Sequence, residues 1–183
     1  AVTRSIPLDK LLHPPESPDH PDPHVWFDPA IWALCIDVVR DGLTEIDPAG
    51  KQVFAENAEK LKKEYLAVID WAKSRIAEIP EQSRKLVTSH DAFNYFGKAY
   101  GFRVVAVQGI STVTEAGLAD IVKMVDFIRD QNVKAIFVES SVNPAAIKRI
   151  SEDAGVRIGG SLFSDAMGTP GRMHGVGLDR YDE

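Results

Sequence analysis

The chain has almost no cysteine: Cys35 is the only one in 183 residues. That excludes an internal disulfide and a cysteine-based zinc site. No run is long and apolar enough to span a bilayer. No Gly-rich phosphate loop of the GxxxxGK type is present, so the chain is not a P-loop ATPase. Nor is there an excess of positive charge. Twenty-one Lys and Arg stand against 27 Asp and Glu, a net charge of −6. Nucleic-acid binding needs a clustered basic face and is not expected. An acidic balance suits a cationic ligand, although most acidic proteins bind no cation. No internal repeat, low-complexity tract or signal peptide is visible, and an exported protein would have lost its signal.

What is present is ordinary globular composition, 44% hydrophobic and 26% charged. The length suits one substantial domain or two small ones. The opening segment ends in HPPESPDHPDPH, a loop composition whose prolines forbid regular helix. A helix is then announced by FDPAIWALCIDVVRDGL. Asp28 can cap it, Pro29 fits its first turn, and Trp32, Ile36, Val39 and Leu43 recur at helical spacing. Asp47-Pro48 repeats the device and predicts a second helix over 48–79, before Pro80. Phe54, Ala58, Leu61, Tyr65, Val68, Ala72 and Ile76 make one sustained face. At ~1.5 Å per residue this is a rod roughly 45–50 Å long. Its stripe drifts from a strict heptad, which favours a spine over a coiled coil.

From residue 84 the pattern alternates. Strands are expected at 85–88, 102–107, 133–138 and 156–158. Helices are expected at 91–100, 115–131 (after a Thr112–Glu115 capping box) and 144–154 (capped by Asn143-Pro144). This predicts an α/β fold with a parallel sheet flanked by helices. The expected organisation is 1–27 as connecting loop, 28–83 as helical segment, and 84–183 as the α/β lobe.

Ligands of an open parallel sheet bind beyond the carboxyl ends of its strands. Those ends carry Thr88-Ser89-His90, Glu139-Ser140-Ser141 and Ser164-Asp165, so His90, Glu139 and Asp165 should share one rim. His24, in DPHVWFDP, can be brought there by the fold. Imidazole with carboxylate suits zinc, manganese or iron. Each residue also has an ordinary reading. His24 could bond a backbone carbonyl, His90 could satisfy a helix start, Asp165 could cap a turn, and Glu139 could join a serine capping network. His13, His20 and His174 sit in Pro- or Gly-rich loops and read as solvated. No close pair such as HExxH exists, so spacing alone leaves a metal site and these ordinary roles open.

The motifs in combination are more specific. DPHVWFDP, the long helix, LVTSHDAFNYFGKAYG, QGISTVTEAGLADI, AIFVESSV and GGSLFSDAMG occur in this order. The set resembles the TroA-like helical-backbone metal receptors of ABC importers for zinc and manganese, across nearly all of 22–171. The resemblance implies two α/β lobes joined by one long helix, with metal in the cleft and only small lobe motions. It implies His24, His90 and Asp165 as metal ligands, with Glu139 nearby in a supporting role. The cargo implied is Zn2+ or Mn2+, with Fe2+ admissible. The partner implied is an ABC permease of the cytoplasmic membrane, and the receptor is expected to be a monomer. The location implied is periplasmic or extracellular, with or without a lipid anchor.

The family's first ligand, a histidine of the N-terminal lobe, has no counterpart in the 23 residues before His24. The closing helix also lacks one. The expectation is therefore a fragment whose first lobe is largely missing, and whose affinity lies far below that of an intact receptor. A nanomolar zinc constant for the 183-residue chain would contradict it. The alternative from another class is a mononuclear zinc hydrolase. It would use the same three ligands, a bound water and Glu139 as general base. A surface adhesin role is compatible with the receptor reading and has no residue support of its own.

Overall fold

A computed structural model describes residues 1–15, 18–111 and 116–167. The chain divides into two compact units, the first Ala1–Ile79 and the second beginning at Pro80.

The first unit is helical. Helices α1 (Pro29–Trp32) and α2 (Leu34–Ile46) take the place of the single helix expected there. Asp28 caps α1 as expected, its carboxylate accepting the Ala30 and Ile31 N–H groups. At Ala33 the ladder tightens, with Ile36 N–H donating to the Ala33 carbonyl. The break is a change of hydrogen-bond step. The expected apolar stripe is only half used. Ile36 is buried and Trp32 half-buried, while Val39 and Leu43 are exposed; Ile31 and Cys35, outside the expected stripe, are buried too. An ion pair links this helix to the next one. Asp37 accepts a hydrogen bond from Lys62 at 2.7 Å and pairs with Arg40.

Helix α3 covers Lys51–Ile76, 26 residues, or about 39 Å, shorter than expected at both ends. Asp47 caps a separate 3-10 turn, Pro48–Gly50, ahead of the helix. At the far end the carbonyls of Arg75 and Ile76 accept from Glu78 and Ile79, in i→i−3 steps. Pro80 disfavours helical backbone at Ile79 and closes the rod early. Phe54, Ala58, Tyr65, Val68, Ala72 and Ile76 do form a half-buried or buried stripe. Leu61 stays exposed, and Lys62 takes its place facing α2.

The second unit holds four strands and three α-helices among the described residues. Strands β1 (Lys85–Thr88) and β2 (Arg103–Ala106) pair in parallel, as do β3 (Ala135–Glu139) and β4 (Arg157–Leu162). β3 lies beside β1. The parallel character is as expected, but the hydrogen-bonded ladders are two short ones and not one sheet. β4 runs four residues past the expected end at 158, through Gly159-Gly160-Ser161-Leu162. Glycine is a poor strand former. Here it is needed because a Cβ on Gly159 would lie 2.8 Å from the Phe137 ring. The register shift between Ile136 and Phe137 absorbs the same crowding.

Helices α4 (Asn94–Tyr100), α5 (Leu118–Asp130) and α6 (Ala145–Ala154) cover the strands. Two of the expected stops are found, with Gly101 at φ 72° and Gly155 at φ 66° closing α4 and α6. Asn143 caps as expected, its Oδ1 accepting Ala145 N–H at 3.0 Å. The Thr112–Glu115 capping box lies outside the described residues. α5 begins three residues later than expected, with Asp120 accepting Gly117 N–H at 3.1 Å. The core joins Val87 and Ile136 to Met124, Val125, Ile128, Ile147 and Ile150. Ile147 has no exposed surface, so Ile147→Ala is expected to cost about 2–5 kcal/mol by leaving a cavity. Urea unfolding of the two proteins checks this, and an unchanged midpoint would contradict the core assignment.

Candidate metal centre

His90, Glu139 and Asp165 all emerge at the carboxyl ends of strands, on the rim expected of them. His90 comes two residues after β1, Glu139 ends β3, and Asp165 comes three after β4. The ordinary reading of His90 does not hold. The helix begins at Asn94 and not at residue 91, so His90 caps nothing. Its backbone is instead held in a tight turn, where the His90 carbonyl accepts from Ala92 N–H and from Thr88 Oγ1. The imidazole is wholly buried.

Glu139 holds that imidazole from behind. Its Oε1 accepts the His90 backbone N–H at 2.8 Å, and its Oε2 meets Nδ1. A carboxylate behind a histidine fixes the ring's orientation and raises its basicity at the opposite nitrogen. That nitrogen, Nε2, lies 3.4 Å from Asp165 Oδ2, a partly exposed carboxylate. This is long for a charge-assisted hydrogen bond. It is the spacing of two ligands on one tetrahedral ion. Two donors each ~2.1 Å from the metal and roughly 109° apart lie about 3.4 Å from one another. Burial pulls the His90 imidazole toward neutrality. The hydrogen bond and charge of Glu139, with Asp165 and Asp91, outweigh it and leave the pKa above its ordinary value.

Two contacts that sequence reasoning missed support this rim. Ser141 and Ser164 hydroxyls are 2.9 Å apart, and Ser140 N–H donates to the Leu162 carbonyl at 2.9 Å. Together they tie the loop after β3 to the loop carrying Asp165. Glu139 itself takes no part in a serine network and serves His90.

His24 belongs to the first unit. It is buried, opening the 3-10 turn Val25–Phe27, with its ring edge-on to Trp26 at 5.3 Å. The expected loop histidine would bond a backbone carbonyl. Here Nδ1 instead meets Asp22 Oδ1 at 2.7 Å. Asp22 was not singled out by the sequence, although Asp-Pro-His carried a signal. An aspartate readily accepts the N–H two residues on, and it does so here at 2.9 Å. His13 Nδ1 lies 2.8 Å from the Pro18 carbonyl, and His20 is exposed, as expected of solvated loops. His174 lies outside the described residues. No helix among them is long and apolar enough to cross a membrane.

The family model for "ZnuA: Zinc-uptake complex component A periplasmic" matches residues 1–181. The manganese-binding lipoprotein MntA of Bacillus subtilis (strain 168) is 41% identical over 189 residues, covering 100% of this chain and 61% of that protein. The zinc-binding protein TroA of Treponema pallidum (strain Nichols) is 36% identical over 181 residues, covering 96% and 58%. A solved structure of the periplasmic zinc-binding protein TroA from Treponema pallidum superposes with a TM-score of 0.89 at 34% identity. It covers 94% of this chain, which spans 63% of that one. The chain thus spans about three-fifths of these relatives' length. The family match runs through all the motifs from DPHVWFDP to GGSLFSDAMG, and the chain belongs to the zinc-uptake complex component A periplasmic family.

Proposed function

We propose that the protein captures a divalent transition metal outside the cytoplasm and delivers it to an ABC-type permease. His24, His90 and Asp165 are the ligands this chain contributes. The observation that carries the reading is the 3.4 Å spacing between His90 Nε2 and Asp165 Oδ2, with Glu139 bound to the far side of the same ring. The relatives' names, a manganese-binding lipoprotein and a zinc-binding protein, supply the metals to test. Imidazole and carboxylate donors accept Zn2+, Mn2+ and Fe2+, and zinc binds more tightly than manganese at nearly any such site. The relatives' names also support an extracytoplasmic site of action, lipid-anchored or periplasmic.

The hydrolase alternative loses its general base. Glu139 is 2% exposed and both its oxygens serve His90. A group so engaged is not available to activate a metal-bound water. This engagement of Glu139 supports a binding role over a hydrolytic one.

The test is competition binding of Zn2+ and Mn2+ by the full-length protein, with turnover of a generic phosphoester measured alongside. One ion per protein without turnover is expected. No metal above background, or metal-dependent turnover, would overturn the reading.

A further inference from the structure

Asp22 is 1% exposed, and an aspartate is rarely buried so completely without a partner. Its own N–H donates to the Leu12 carbonyl at 2.7 Å, which anchors it. Its Oδ1 accepts the His24 N–H at 2.9 Å and sits 2.7 Å from His24 Nδ1. An aspartate used merely to make a turn needs only the first of these contacts, and it is ordinarily solvated. The burial and the ring contact call for a further cause.

Glu139 supplies the comparison. It too takes a histidine's own N–H and the same histidine's Nδ1. It reaches His90 from 49 residues away, whereas Asp22 reaches His24 from two. Local turn chemistry cannot produce the same pairing at both separations. A shared demand on the two imidazoles can. Each ring must present one particular nitrogen, unprotonated and fixed in direction, to a cation.

We propose that Asp22 is a positioning residue for His24. Its carboxylate holds the Nδ1 edge, keeps the proton there, and leaves Nε2 as the atom offered to the metal cargo. This rests on the metal-receptor reading above.

The test uses the full-length protein and its Asp22→Ala, Asp22→Asn and His24→Ala variants. Nitrogen NMR of the metal-free protein reads the His24 tautomer, and Zn2+ competition reads affinity. The wild type is expected to hold His24 as the Nδ1–H form. Asp22→Ala is expected to shift it toward Nε2–H and weaken Zn2+ binding about 10–100-fold. Asp22→Asn keeps an acceptor but loses the charge. It is expected to retain the tautomer and the metal-free thermal midpoint, with a smaller loss of affinity. It carries the test if the alanine variant does not fold.

A wild-type Nε2–H tautomer would overturn the proposal. So would a loss below about tenfold in a folded Asp22→Ala protein, against the range expected, or unchanged affinity in Asp22→Asn. His24→Ala separates the ligand role from the positioning role. If that variant binds Zn2+ as tightly as wild type, His24 is no ligand and the assigned ligand set itself fails. If it binds weakly while the Asp22 variants do not, only the positioning role fails.

Discussion

Replacing His90 by alanine is expected to remove stoichiometric Zn2+ and Mn2+ binding, with affinity falling by more than about 100-fold. Removing a group behind a ligand already costs about 10–100-fold, and in the proposed site His90 is a ligand itself. It is wholly buried and its Nε2 faces Asp165 at 3.4 Å. Glu139 cannot take its place, because it lies on the other side of the ring. The variant also leaves Glu139 Oε2 buried with its imidazole partner gone, while Oε1 keeps the backbone N–H of residue 90. Breaking a buried pair in this way typically costs about 3–5 kcal/mol, so the metal-free variant should melt earlier than wild type. His90→Gln separates the two effects. Its amide can still donate to Glu139 and should restore much of the stability, but it is a poor metal ligand and should not restore binding. Metal content and competition constants for both variants decide the matter. Wild-type affinity in a folded His90→Gln protein would remove His90 from the ligand set.

The rim was legible in the sequence because strand ends are legible. Leu86-Val87-Thr88 and Ala135-Ile136-Phe137-Val138 are short apolar runs, and the residues just after each run must lie at the carboxyl edge of a parallel ladder. The helix stops at Gly101 and Gly155 were legible for a similar reason, since a helix ending in left-handed backbone asks for glycine. The start of α4 was not. Residues 91–93 have helical character in composition, but His90 and Thr88 spend their hydrogen bonds on a turn that holds the imidazole. A local preference yielded there to the demands of the site. The extension of β4 through two glycines was hidden because its cause, the Phe137 ring, lies on another strand. Asp22 went unread because its role depends on burial, and a proline-rich loop gives no sign of burial.

Glu139→Gln is expected to change the pH dependence of both stability and metal binding, with opposite signs. In the wild type, burial disfavours the charged imidazole, but Glu139, Asp165 and Asp91 together hold its pKa above the ordinary value of about 6.5. A group whose folded pKa is raised contributes stability that is fully present below the unfolded pKa. That contribution is lost as pH rises through the folded pKa. The metal-free wild type should therefore lose stability from His90 on going upward from about pH 6.5. Metal behaves in the opposite way, because it competes with the proton for the imidazole. Zn2+ affinity should fall as pH drops through the raised pKa, so the thermal shift caused by metal should grow with pH. In Glu139→Gln the largest favourable charge is gone and burial prevails, so the His90 pKa should fall below its ordinary value. The variant should keep its metal to lower pH than the wild type. Its plateau affinity should be about 10–100-fold weaker, because a neutral amide polarises the ring less. The two curves of affinity against pH should therefore converge on the acid side. Zn2+ competition from about pH 5 to 8 measures both curves. A common midpoint, or parallel curves, would show that Glu139 does not govern the protonation of His90, and its place behind the ring would then be packing alone.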